Sequence, residues 1–366
     1  MAKSVASASP DVPASAGTFA IEGRLVGPGQ PAYLIAEVAQ AHDGSLGFAH
    51  AFIDAAAEAR ADAIKFQTHF ADEESTRDEQ FRIKFSRQDA SRFDYWKRME
   101  FTDEQWAGLA DHAREKKLHF ISSAFSARAV ELLERLGMPT WKVASGEVLS
   151  PGFLQRLAKT GKPVLLSTGM SPYAEIETAF RSLRDAGAPV AILQCTSRYP
   201  TPLQEVGLNV IDELRRRFGC PVGLSDHSGQ VYPALIAMAR GASIIEAHIT
   251  LDRRMFGPDT SSSLTVEEFA LLGRTRDAIA EIDAHPVDKD RMAEAMTGMR
   301  DLFQKSVAPK RALSAGTLLT RDMLTTKKPA TGIPAGELER VVGRRLSRDV
   351  LPDRVLNWSD LDEQGE

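Results

Sequence analysis

The sequence predicts a (β/α)8 barrel followed by a small β-rich domain. Eight short apolar runs recur between residues 32 and 249, stretches with helical period lie between them, and the segment from about residue 301 onward breaks that rhythm with a turn-rich pattern. Eight alternating strands and helices over about 250 residues are the size of such a barrel. A doubly wound sheet is the alternative, but no G-x-G-x-x-G turn follows the first run.

In chain order the predicted strands are AYLIAEVA (32–39), DAIKFQT (62–68), HFISSAF (119–125), TWKVASG (140–146), PVLLSTG (163–169), VAILQCT (190–196), PVGLSDH (221–227) and SIIEAHI (243–249). LGFAHAFIDAAAEARA (46–61), AVELLERLG (129–137) and VYPALIAMARG (231–241) read as amphipathic helices, the latter two ending in the glycine that helix C-termini favour. Residues 1–30, rich in Ala, Ser and Pro at their start, are expected to be a disordered lead-in, and residues 31–283 the barrel. An eighth helix is expected over about 265–283. AHPVDKD opens a linker over 284–300, and residues 301–366 form the small domain.

With 43% hydrophobic and 26% charged residues the 366-residue chain has a globular balance. The net charge of −5 and the lack of an arginine-rich tract argue against a nucleic-acid partner. The N-terminus lacks the apolar core of a signal peptide and no run is long enough for a bilayer, so no membrane partner is expected. Cys195 and Cys220 form no metal or redox spacing, which reads as reduced thiols in a cytoplasmic protein.

The connection from 69 to 118 is too long for routine packing, and loops of that length are often lids or binding loops. Its part FRIKFSRQDASRFDYWKR (81–98) carries Arg82, Lys84, Arg87, Arg92, Lys97 and Arg98 against Asp89 and Asp94. It leaves the carboxyl end of the second strand, so it is expected to overhang the barrel mouth. Its basic residues read either as a solvated surface loop or as a lid whose arginines grip an anionic group at the far end of a ligand.

The polar residues gather at those same strand ends. Glu37, His42, Lys65, Gln67, Ser122, Ser123, Lys142, Ser145, Glu147, Ser167, Thr168, Thr196, Ser197, Tyr199, Ser225, Asp226, His227, Glu246 and His248 all fall there. Taken singly each reads as a satisfied core polar group. Together, with two lysines, they are costly to bury unless something charged occupies the centre. Lysines with Ser and Thr hydroxyls suit a phosphate and a carboxylate, and glutamates suit sugar hydroxyls or proton transfer. In IIEAHIT the alternation puts Glu246 and His248 on one face, and His227 with His248 suits one divalent metal with open positions.

AYLIAEVAQAHDGSL, ADAIKFQT, KVASGE, LLSTGM, LQCTSRYP, VGLSDHSG and IIEAHITLDRRMFGPD resemble successive motifs of the sialic acid synthase family. KSVAPKRALSAGTLLTRDMLTTKKPATGI with VVGRRL resembles that family's antifreeze-like (SAF) domain. The resemblance implies condensation of phosphoenolpyruvate with an N-acyl amino sugar, N-acetylmannosamine-like, to a nonulosonic acid and phosphate with C–O cleavage. By motif, Lys65, Gln67, Ser123, Lys142, Ser145, Ser167, Ser197 and Ser225 would hold phosphoenolpyruvate. His227 and His248 would hold Mn²⁺ or Mg²⁺. Glu37 and Glu147 would act around the metal-bound water and the sugar, with Tyr199, Asp259 and Gln304 on the sugar side. It also implies a homodimer with swapped SAF domains. The chain departs from the family's motifs at Ala41 in AQAH, at Thr260 after GPD, and at Gln304 in FQKS where many bacterial members have Arg. Competing readings are another phosphoenolpyruvate-dependent sugar-acid synthase, against which the SAF domain speaks, and a catalytically silent sugar-binding barrel.

Overall fold

Each of the eight apolar runs forms a strand, buried along nearly its whole length as parallel sheets covered by helices require. In the computed structural model, which describes residues 17–362, they are β3 (Tyr33–Ala39), β4 (Ala63–Thr68), β5 (His119–Ala124), β6 (Trp141–Val143), β7 (Val164–Ser167), β8 (Val190–Cys195), β9 (Val222–Asp226) and β10 (Ile244–Thr250). All neighbours run parallel, and β10 pairs with both β3 and β9, which closes the barrel. The helices between them include α1 (Leu46–Glu58), α5 (Ala127–Arg135), α6 (Pro151–Ala158), α7 (Tyr173–Asp185), α8 (Leu208–Phe218), α9 (Val231–Ala239) and α10 (Val266–Ala284). The chain divides into two compact units, the second beginning at His285.

The long connection after β4 is partly helical. It contains α2 (Ala71–Glu74), α3 (Arg92–Met99) and α4 (Asp103–Glu115). Ser91 with Asp94 and Thr102 with Gln105 form reciprocal capping boxes that start α3 and α4.

Two expectations are corrected. Residues 1–16 lie outside the described residues, but the expected disorder does not extend to residue 30. β1 (Phe19–Ile21) and β2 (Arg24–Val26) form an antiparallel hairpin turning at Glu22–Gly23, both with positive φ. Its Ile21 and Val26 join the barrel core, and Arg24 reaches Asp62 at 2.7 Å, which also binds Arg276. These two three-residue strands lie outside the repeating strand–helix rhythm, so their short period is not enough to read them from sequence. The linker is likewise helical: Asp288 caps α11 (Lys289–Ala295), and α12 (Thr297–Phe303) follows.

The second unit pairs β12 (Ser306–Pro309) with β13 (Leu324–Lys327), adds a short α13 (Leu338–Val341), and packs Val307, Leu319, Leu324, Ile333, Val341, Leu346 and Leu356 into its own core. No described helix is long and apolar enough to cross a membrane.

One buried group sets an acid limit on stability. His42, packed against Phe66 and Phe101, is lowered by burial from the ordinary imidazole value of 6.5 to about 3. Between those two pH values the unfolded chain takes up a proton that the folded chain refuses, so stability falls with acid through that window. His42→Phe is expected to flatten that part of the melting-temperature profile. An unchanged slope would remove His42 from the account.

Candidate active site

The strand register gathers the polar side chains. Glu37 of β3 pairs in register with Lys65 of β4 on one side and His248 of β10 on the other. Gln67 lies beside Ser123, Ser123 beside Lys142, and Ser225 beside Glu246. In-register neighbours of a parallel sheet point to the same face, so this set shares the inside of the barrel at the carboxyl ends of the strands.

The geometry is that of a buried charged network. Glu37, Lys65, Lys142 and Glu246 are each no more than 4% exposed. Lys65 Nζ lies 2.7 Å from Glu37 and 4.0 Å from Glu246, and Lys142 Nζ lies 3.5 Å from Glu246. Lys142 also donates to Ser167 Oγ at 2.7 Å, and Lys65 to Ser123 Oγ at 3.4 Å. Ser225 donates to Glu246 Oε1 at 3.0 Å, while Glu246 Oε2 is buried without a hydrogen-bond partner. Burial pushes the Glu246 carboxyl up, but Lys142 and Lys65 outweigh it and hold the group at about 2. Burial pushes the Lys142 ammonium down, whereas Lys65, which burial also disfavours, is held up by Glu246 and Glu37.

A cavity of about 500 Å³ opens on this network, lined by Glu37, Lys65, Gln67, Ser123, Lys142, Ser145, Ser167, Ser197, Tyr199, Ser225, His227, Glu246 and His248. Ser145 Oγ accepts from the backbone N–H of Gly169 at 3.0 Å, and a Cβ at Gly169 would come within 2.3 Å of Ser197 Oγ. Only glycine lets those two serines stand together.

The rings of His227 and His248 lie 5.3 Å apart. His227 Nδ1 is 3.0 Å from the carbonyl of Thr196, which only accepts, so Nδ1 carries the proton and Nε2 a lone pair. That lone pair accepts from the Tyr199 hydroxyl at 3.0 Å. Burial lowers His227 to about 3, so the ring is neutral at ordinary pH, the form a metal ligand needs. Among the described residues no cluster of three or more His, Cys, Asp or Glu side chains is arranged to hold a metal. Of the two rings, His227 in this tautomer offers an Nε2 lone pair, the donor a divalent ion would take, beside His248.

A second cavity, of about 230 Å³, shares Gln67, Arg82, Arg92, Tyr199 and His248 with the first and is further walled by Phe81, Phe85, Tyr95, Trp96 and Asp259. The long connection does stand at the mouth. Arg82 and Arg92, not Arg87, line the site: Arg82 donates to Asp259 at 3.0 Å, and its guanidinium lies 4.2 Å from the Tyr199 ring centre. Arg92 also meets Glu79, Lys97 meets Asp72 and Glu100, and Arg98 meets Asp43 and Asp89.

Several of the rim residues selected from sequence do not line the cavity. His42 packs against Phe66 and Phe101, Ser122 hydrogen-bonds Thr68, and Thr168, Thr196, Asp226 and Glu147 are also outside the lining. Glu147 lies on a 3-10 turn after β6 and accepts from Ser150 at 3.2 Å, outside the cavity lining. Gln304 is an exposed residue of the second unit, at the end of α12. Conversely, sequence reading put Glu246 on the rim beside His248 with a role shared by all the glutamates, and did not foresee its place between the two lysines. Gln40 was missed altogether: it donates to Gln67 at 3.0 Å, and its own Oε1 is buried and unpartnered.

Fold and site define a (β/α)8 barrel with two buried lysines, several serines and a pair of histidines at the carboxyl ends of its strands. The chain belongs to the NeuB family, which matches residues 52–285, and carries a SAF domain over residues 304–362. It is 32% identical to the N,N'-diacetyllegionaminic acid synthase of Campylobacter jejuni, over 88% of this chain and 98% of that protein. It is 31% identical to human N-acetylneuraminate-9-phosphate synthase, over 94% and 96% of the two chains. Among solved structures it is similar to the N-acetylneuraminic acid (sialic acid) synthetase of Leptospira borgpetersenii in complex with citrate. There the TM-score is 0.68 at 29% identity, covering 78% of this chain and 98% of that one.

Proposed function

We propose that this protein condenses phosphoenolpyruvate with the open-chain form of an N-acyl amino sugar, N-acetylmannosamine-like, giving a nonulosonic acid and inorganic phosphate. The observation that carries this reading is the pair of buried ammonium groups, Lys65 and Lys142, set among serine hydroxyls at the barrel mouth. That cradle suits one small molecule bearing both a phosphate and a carboxylate. The names of the two synthase relatives support the same chemistry.

In the proposed step C3 of phosphoenolpyruvate bonds to the sugar's aldehyde carbon, whose oxygen takes a proton and becomes a hydroxyl. Water adds at C2, and the C2–O bond to phosphate then breaks. Lys65 and Lys142 neutralise the departing phosphate from a buried position where charge is weakly screened. Ser123, Ser145, Ser167, Ser197, Ser225 and Gln67 fix the orientation of phosphoenolpyruvate. Glu37, paired with Lys65, takes the proton from the attacking water. Mn²⁺ or Mg²⁺ held by His227 and His248 would polarise the aldehyde carbonyl. Glu147 is assigned to the sugar, with Tyr199 and Asp259 lining its far end.

A neutral far end is favoured over a phosphorylated one, because Arg82 and Arg92 already face Asp259 and Glu79. The test is phosphate release with Mn²⁺ across a panel of N-acyl amino sugars, including N-acetylmannosamine and its 6-phosphate. The unphosphorylated sugar is expected to be preferred, with Arg82→Ala lowering its kcat/KM by about tenfold through the loss of one charged contact. A preference for the 6-phosphate that Arg82→Ala removes would overturn the neutral reading. Release with simple aldose phosphates alone would indicate another sugar-acid synthase, and no release with any sugar a silent barrel.

The working form is proposed to be a homodimer, the SAF unit of one copy bringing Gln304 to the partner's sugar. Full activity at a monomeric mass would overturn it.

A further inference from the structure

His69, one residue past the end of β4, stands outside the reaction just described. It is buried and lies flat between two aromatic rings, 4.1 Å from Trp96 of α3 and 4.5 Å from Phe125 after β5. Its Nδ1 is 2.5 Å from Glu74 Oε1, and its Nε2 is 3.2 Å from Gln67 Oε1. The orientation of the Gln67 amide is settled at both ends. Its Nε2 donates to Glu37 Oε1 at 2.9 Å, which a carboxylate requires, and its Oε1 accepts from Gln40 Nε2. Nε2 of His69 therefore faces an acceptor and has to donate. Nδ1 faces a carboxylate whose other oxygen is buried with no hydrogen-bond partner. Both ring nitrogens thus call for a proton, and the resulting cation would sit between two π faces.

We propose that His69, held as an imidazolium against Glu74, is a positioning residue: it fixes the Gln67 amide so that its N–H is presented to Glu37. The proposal rests on the role given above to Glu37. Were the ring to hold one proton, on Nδ1, its Nε2 lone pair would confront Gln67 Oε1. The amide could escape only by turning, which would set its oxygen against the Glu37 carboxylate. The same contacts tie the long connection to the site, because Glu74 belongs to α2 and Trp96 to α3. The other charged or titratable groups around the ring are few. Arg92 lies over the far side of Trp96, Trp96 Nε1 donates to Glu79, and His42 stands nearby, itself kept neutral by burial.

The test combines a spectroscopic and a kinetic reading on the full chain. Nitrogen NMR of the histidine rings at neutral pH is expected to show protons on both nitrogens of His69, and on only one in Glu74→Gln. That variant is expected to lose about tenfold in kcat, as partners of catalytic ligands do. Its KM for phosphoenolpyruvate should move less than twofold, and the alkaline fall of kcat should begin at lower pH. His69→Gln, which keeps one N–H donor toward Gln67, should recover part of the activity lost in His69→Phe at matched melting temperatures. A neutral His69 ring in the parent, or parent-like kcat and pH profile in Glu74→Gln, would overturn the proposal. If the parent turns over no sugar, the synthase reading fails, and the NMR result still decides the state of His69.

Discussion

Replacing Lys142 by methionine is expected to lower kcat/KM for phosphoenolpyruvate by about 10²–10³-fold, the loss that follows removal of one preorganised charge-stabilising donor. Lys142 is buried and bound to Ser167, and stands 3.5 Å from Glu246. Its removal leaves Glu246 with Lys65, at 4.0 Å, as its nearest cation. The single variant should therefore also melt earlier, because a buried carboxylate that loses its closer cation is only partly compensated. The cost should stay below the ~3–5 kcal/mol of a wholly unpaired one. The double variant Lys142→Met/Glu246→Gln separates the two effects, since it removes both charges and should restore most of the melting temperature without restoring turnover. Parent-like kcat/KM in the single variant would remove Lys142 from the phosphate end. Recovered activity in the double variant would show that only the fold had suffered.

His227→Ala and His248→Ala are each expected to abolish the stimulation of turnover by Mn²⁺ after chelation, with a loss above about 10²-fold, the upper range seen when only a partner of a metal ligand is removed. Binding of Mn²⁺ followed by calorimetry should weaken in parallel, giving a reading independent of the sugar. His227 is the sharper case. Its Nδ1 proton on the Thr196 carbonyl turns the Nε2 lone pair toward Tyr199, and alanine deletes that lone pair without a large cavity in the apolar core. Normal activity of both variants on adding Mn²⁺ would mean that the two histidines hold no metal.

The eight strands were legible because each is a short β-branched or apolar run between turn residues, and period two alone says which residues share a face. That is why Glu246 and His248 could be read onto one face, and why Lys65, Gln67, Ser123 and Lys142 could be assigned to one end of a barrel. The hairpin at 19–26 and the helices after Asp288 escaped because segments of a few residues carry little period, and their stability comes from docking or capping.

The sequence alone thus determined the strands, their direction and the residues brought to the rim. It could not say who meets whom across the rim, because that depends on strand register and on where a fifty-residue connection lands. Tertiary structure alone set Glu246 between two lysines, turned Glu147 to Ser150, chose Arg82 over Arg87 at the mouth, and sandwiched His69 between Trp96 and Phe125. Each is a contact between residues far apart in the chain or on an irregular loop, where no local period constrains the side chain.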